Sequence, residues 1–195
     1  NACVALSGGS TPAPAYRALG AMALAWRNVT FALVDERFVP ADHEASNASM
    51  IQHELAAAFA DGAKFVPMYS AAVSVERAAV IADSLYAPLH IDLAVMGMGA
   101  DAHTASWFPA AAAHALDPSA AQSVIAVHAP DAAGTAERLT LTRAAYNRAG
   151  AALLLITGVD KRARFEAAIH EPIEQAPVAA LVSAGAPPLT VFWAP

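Results

Sequence analysis

Short runs of strand-forming residues alternate with alanine-rich stretches of helical character along the whole chain, and this alternation constrains the fold more than any other feature. Strands are expected at residues 2–6, 29–34, 91–96, 123–127, 151–156 and 189–193. Helices are expected at 12–22, 47–59, 75–86, 161–170 and 177–183. The run HIDLAVMGMG is apolar without alternation, the pattern of a strand covered on both faces. Helices between such strands join parallel neighbours, so the sequence predicts an α/β fold, a mostly parallel sheet flanked by helices on both faces. The stretch STPAPAYRAL puts Ser or Thr at a cap and proline in the first turn, a proper helix start. No repeat, low-complexity tail or linker interrupts the pattern, and residues 1–195 read as a single domain.

Composition narrows the function. At 57% hydrophobic and 14% charged residues, 195 residues suffice for one well-filled core. The apolar residues come in short runs, none near the roughly 18 uninterrupted residues that span a membrane, so no membrane partner is expected and the chain reads as soluble. A net charge of −6 argues against nucleic acid, whose phosphates call for a basic face. It leaves room for a small anion held by a few placed cations and helix N-termini. Cys3 is the only cysteine, so a disulfide framework and a cysteine-based zinc site are both out, which fits a reducing cytoplasm.

Four of the expected strands end in polar segments: Ser7-Gly8-Gly9-Ser10-Thr11, Asp35-Glu36-Arg37, residues 97–104, and Thr157-Gly158-Val159-Asp160-Lys161. Ligands of open parallel sheets bind beyond the carboxyl ends of the strands, so these segments should converge on one crevice. The first reads equally as a tight turn or as an anion cradle with a helix N-terminus behind it. It is no Walker A loop, because no Gly-Lys-Ser/Thr follows. Lys161 favours the cradle, as a point charge able to reach the same anion; its plain alternative is a solvated residue at a helix start. His103 is the best candidate for a general base, with Asp101 two residues away to orient its ring. The other six histidines read as structural, and no metal-ligand spacing surrounds His103. Asp35 and Arg37 are either an exposed turn or the edge of the crevice, and Arg138 in RLTLT is either a solvated strand residue or a ligand contact. Trp26, Trp107, Phe108 and Trp193 read as core or rim.

The motifs LSGGSTP, VDERFVPADHEASN, MGMGADAHTASWFP, RLTLT and ITGVDK occur in an order and spacing that resemble the 6-phosphogluconolactonases, from Leu6 to the final strand LTVFW. The resemblance implies a Rossmann-like fold and hydrolysis of 6-phosphogluconolactone, a sugar-phosphate lactone, by a cytoplasmic monomer with no metal or organic cofactor. It also implies roles: His103 as base with Asp101 and Arg37 beside it, and Gly8, Gly9, Ser10, Thr11, Asp35, Arg37, Gly99, Arg138 and Lys161 around the substrate. The sequence leaves open whether Arg37 or backbone N–H groups of 97–99 steady the oxyanion. There are two departures. Ala102 stands where the family usually has glycine, which costs strain if φ is positive there. Family members also carry a helix and strand ahead of LSGGS, so a segment preceding Asn1 is expected.

Two rivals share the fold. Glucosamine-6-phosphate deaminases resemble the chain in the Asp-x-His loop but continue it to a glutamate, where this sequence has Phe108. A non-catalytic sugar-phosphate sensor would keep the cradle and dispense with His103. The retained Asp101 and His103, with Phe108, favour the lactonase.

Overall fold

Ala94, Val95 and Met96 are all buried, as the unbroken apolar run demands, and the strand they form lies in the middle of the sheet. A computed structural model describes all residues except 110, 131 and 133. Its main sheet contains β1 (Ala2–Leu6), β2 (Val29–Leu33), β4 (Lys64–Phe65), β5 (Leu93–Met96), β8 (Ala151–Thr157) and β9 (Leu189–Ala194). The order is β4-β2-β1-β5-β8-β9 and every pairing is parallel. From β1 the chain steps outward through α1 (Ala13–Gly20) to β2. From β8 it steps the other way, through α6 (Val159–Ala168) to β9. Right-handed crossovers of opposite direction place these helices on opposite faces. The strand order reverses between β1 and β5, and a crevice opens there.

A second sheet of order β3-β7-β6 is antiparallel, built from β3 (Asp35–Arg37), β6 (Val124–His128) and β7 (Glu137–Leu141). The strand expected at 123–127 therefore belongs to this small sheet and not to the parallel one. The remaining helices are α2 (Asn47–Glu54), α3 (Ala56–Ala60), α4 (Val75–Tyr86) and α5 (Arg143–Asn147). Trp26, Phe31, Phe59 and Phe65 form a chain of ring contacts 5.6–6.1 Å apart on the β2 side of the core. Trp107 is wholly buried, while Trp193 on edge strand β9 remains 36% exposed, so core and rim divide the aromatics as expected.

Four local expectations need correction. The Ser/Thr cap of α1 is absent: Pro12 occupies the N-cap without a side-chain bond, because Ser10 and Thr11 belong to a preceding turn. The single helix expected over 47–59 breaks at wholly buried Leu55, whose φ of −102° and ψ of 20° leave the helical region. The segment 177–183 is a 3-10 turn over Pro177–Val182. Helix α6 begins at Val159, two residues before Lys161. Among the described residues no helix is long and apolar enough to cross a membrane.

Candidate active site

Ser7 and Gly97 follow the last residues of β1 and β5, on the two sides of the point where the strand order reverses. A cleft of about 280 Å³ opens above them. Gly8, Gly9, Ser10 and Thr11 form its first wall. Two of these positions demand glycine. A Cβ on Gly8 would stand 1.9 Å from the side-chain oxygen of Asn47, and Gly9 has φ +98°. Pro12 and Pro14 lack N–H groups, so the first turn of α1 offers the donors of Ala13 and Ala15 together with its dipole. Lys161 enters from the opposite side, two residues into α6, and donates from Nζ to the Met98 carbonyl at 2.8 Å. Its charge thereby faces the cleft instead of bulk water.

The small sheet supplies the second wall. Register pairs Arg37 on β3 directly with Arg138 on β7, and both line the cleft. Like charges opposed on neighbouring strands repel, so an anion between them would relieve the pair. Arg138 is buried and bonds from Nε to the Thr135 carbonyl at 2.8 Å. Burial, and then the charge of Arg37, lower its hold on its proton relative to an ordinary arginine. Arg37 donates from Nη1 to the Ala45 carbonyl at 2.6 Å. Asp35 is buried beside them; Oδ2 accepts from Ser106 Oγ at 2.7 Å and Oδ1 from Asn47 Nδ2 at 3.3 Å.

On the β5 side, Gly97-Met98-Gly99 turns off the strand, and the carbonyl of Gly97 accepts from Thr104 Oγ1 at 2.8 Å. The His103 ring folds back over Gly99, where a Cβ would come within 2.2 Å of Nδ1 and Cε1. Asp101 Oδ1 lies 2.6 Å from His103 Nδ1. That bond holds the Asp101 carboxyl below the usual range, so the carboxylate accepts and Nδ1 carries the proton. Nε2 is left with a free lone pair and His103 lines the cleft. Asp101 stands behind the ring, outside the lining residues. Ala102 has φ +67°, the strained geometry its substitution for glycine raised, and its wholly buried methyl group offsets part of that strain.

Three residues here escaped the sequence reading. Asn47 lies in the segment HEASN, where Ser46 Oγ caps α2 by accepting from Ser49 N at 3.1 Å. Asn47 lines the cleft and ties α2 to Asp35. Ser106, wholly buried, binds Asp35, a contact between distant segments with no local signature. Glu36 is wholly buried; it accepts from the N–H groups of Arg37, Asn47 and Ala48 at 2.7–2.8 Å and from Ser46 Oγ at 3.0 Å. Burial raises its pKa against the pull of those donors. Among the described residues no group of three or more His, Cys, Asp and Glu side chains could hold a metal ion.

The chain resembles known proteins over its full length. The sequence model of the family described as glucosamine-6-phosphate isomerases/6-phosphogluconolactonase matches residues 1–193. A 6-phosphogluconolactonase of Mesorhizobium japonicum is 43% identical over 198 residues, covering 100% of this chain and 82% of that protein. One from Pseudomonas aeruginosa is 39% identical over 199 residues, covering 100% and 82%. The crystal structure of a 6-phosphogluconolactonase from Shewanella baltica superimposes with a TM-score of 0.93 at 30% identity, covering 100% of this chain and 84% of that one. With these matches, the chain belongs to the glucosamine-6-phosphate isomerase/6-phosphogluconolactonase family.

Proposed function

We propose that this protein is a 6-phosphogluconolactonase, hydrolysing 6-phospho-D-glucono-1,5-lactone to 6-phosphogluconate by water attack on the lactone carbonyl. The observation that carries the reading is the Asp101–His103 contact of 2.6 Å, set in a cleft whose other walls are an anion cradle and three cations. Gly8 to Thr11, Arg138 and Lys161 hold the 6-phosphate and so orient the ring. His103 Nε2 takes a proton from water as the oxygen attacks C1. Asp101 keeps the imidazole in that tautomer and stabilises the imidazolium that forms, which then protonates the departing ring oxygen. The Gly99 N–H is already committed to the His103 carbonyl at 2.9 Å. Arg37, whose guanidinium lines the cleft, takes the developing oxyanion, and the buried Asp35 orders the neighbouring donors. The reading takes the 195 residues as one domain, working as a cytoplasmic monomer without metal or organic cofactor.

The deaminase alternative calls for a carboxylate beside the histidine. Here the ring of Phe108 lies 4.6 Å from that of His103, centroid to centroid, and offers no proton. The direct test is to assay the purified protein on freshly generated 6-phosphogluconolactone, corrected for spontaneous hydrolysis, with glucosamine 6-phosphate in parallel. Lactone hydrolysis without ammonia release is expected. Ammonia release without lactone hydrolysis would overturn the assignment.

A further inference from the structure

Asp101 alone does not fix the base. Its bond holds one ring atom, Nδ1, and side-chain exposures of 51% for Asp101 and 32% for His103 leave that edge open to water. An imidazole held at a single atom can still swing about that contact and carry Nε2 off its line of attack. A second contact supplies the missing constraint. The Phe108 ring packs against the imidazole at 4.6 Å between centroids, with an interplanar angle of 37°. The Arg138 guanidinium lies against the same phenyl ring, 5.7 Å from its centroid.

The neighbours of Phe108 determine its place. Trp107 N–H donates to the Thr104 carbonyl at 2.9 Å, closing a turn that returns residue 108 to the side of residue 103. Ala105, inside that turn, has φ +47°. Trp107 is wholly buried, bonds from Nε1 to the Leu141 carbonyl at 2.6 Å and meets Tyr146 edge-on. Ser106 is anchored on Asp35. Both preceding residues are pinned, and Phe108, partly buried at the edge of the core, lays its ring against the imidazole.

We propose that Phe108 is a positioning residue, which holds the His103 imidazole in its attacking orientation and links that orientation to the seating of the substrate's phosphate at Arg138. The proposal rests on the lactonase reading above. An aromatic contact of this kind shifts a rotamer equilibrium by up to about tenfold. Anion binding at Arg138 draws on the same phenyl ring, so part of the phosphate's binding energy is expressed as orientation of the base. It then appears in kcat and not only in KM.

The test compares wild type with Phe108→Leu and Phe108→Tyr on 6-phosphogluconolactone and on unphosphorylated gluconolactone. Histidine 15N spectra report the tautomer, and binding of 6-phosphogluconate is measured calorimetrically. Phe108→Leu should lose up to about tenfold in kcat on the phosphorylated lactone and less on the unphosphorylated one. It should keep its affinity for 6-phosphogluconate within about threefold, and the His103 nitrogen signals should keep the Nδ1–H tautomer, because Asp101 still holds that proton. Phe108→Tyr, which retains the ring, should restore kcat with the same tautomer. Equal losses on both lactones, or loss of the Nδ1–H tautomer, would mean a merely structural role and overturn the proposal. So would wild-type kcat in Phe108→Leu. A wild-type protein inactive on the phosphorylated lactone would instead refute the lactonase reading itself, so the two failures are distinguishable.

Discussion

A methyl group on Gly99 would stand 2.2 Å from the His103 ring and 2.6 Å from Asp101 Oδ1, so the base and its partner occupy the space that glycine leaves. Gly99→Ala should displace the imidazole and lower kcat by roughly 10²-fold or more, the scale of a mispositioned base, with the circular dichroism spectrum unchanged. Activity near wild type would show that the ring does not work from this position. The pH profile belongs to the same pair. Because His103 holds the Asp101 carboxyl below its ordinary value, that carboxylate stays charged to lower pH than a free one. The contact's stabilising contribution is thus present above the unfolded carboxylate's pKa and fades only as pH falls through the lowered folded value. The acid limb of log kcat against pH should have a slope of one, for a single general base. A slope of two would mean that Asp101 titrates alongside. His103 and Asp101 were legible because their pairing is local, two residues apart. The need for glycine at position 8 was not, because the clashing atom belongs to Asn47, far along the chain.

Among the elements, β3 does most to shape the site and was the hardest to foresee. Asp-Glu-Arg has little strand propensity, and three residues show no period, so the segment reads as a turn. What makes it a strand is tertiary: pairing with β7, and Glu36 gathering the first N–H groups of α2. That one carboxylate binds β3 to α2 and so sets Arg37 and Asn47 in the cleft. Glu36→Gln keeps the shape but turns an amide nitrogen towards donors that need an acceptor. It should destabilise the protein by about 2–3 kcal/mol in urea unfolding. A change below about 0.5 kcal/mol would show the carboxylate to be dispensable. The two-residue β4 and five-residue α5 were invisible for the same reason of length. Helix α4, long and capped by Ser74, lies at 75–86 as the sequence predicted.

For the molecule as a whole, topology decides where the chemistry sits. The alternation of strands and helices implied a parallel sheet, and the polar strand ends implied one crevice at their carboxyl side. The order β4-β2-β1-β5-β8-β9 puts that crevice between β1 and β5. No property of the sequence alone revealed the second sheet, whose strands supply both arginines. A chain of net charge −6 thus concentrates Arg37, Arg138 and Lys161 around one small cleft. If that local field recruits the phosphate, kcat/KM for 6-phosphogluconolactone should fall as ionic strength rises, while that for gluconolactone stays nearly flat. Parallel salt responses would remove the phosphate from the cation cluster. The cleft divides its labour between a base on the β5 loop and an anion cradle opposite it. The measurement that tests this most directly is kcat and 6-phosphogluconate affinity in folded His103→Asn protein, determined side by side with wild type. Loss of roughly 10²–10⁴-fold in kcat with affinity within about threefold is the expected result; a kcat within tenfold of wild type would contradict it.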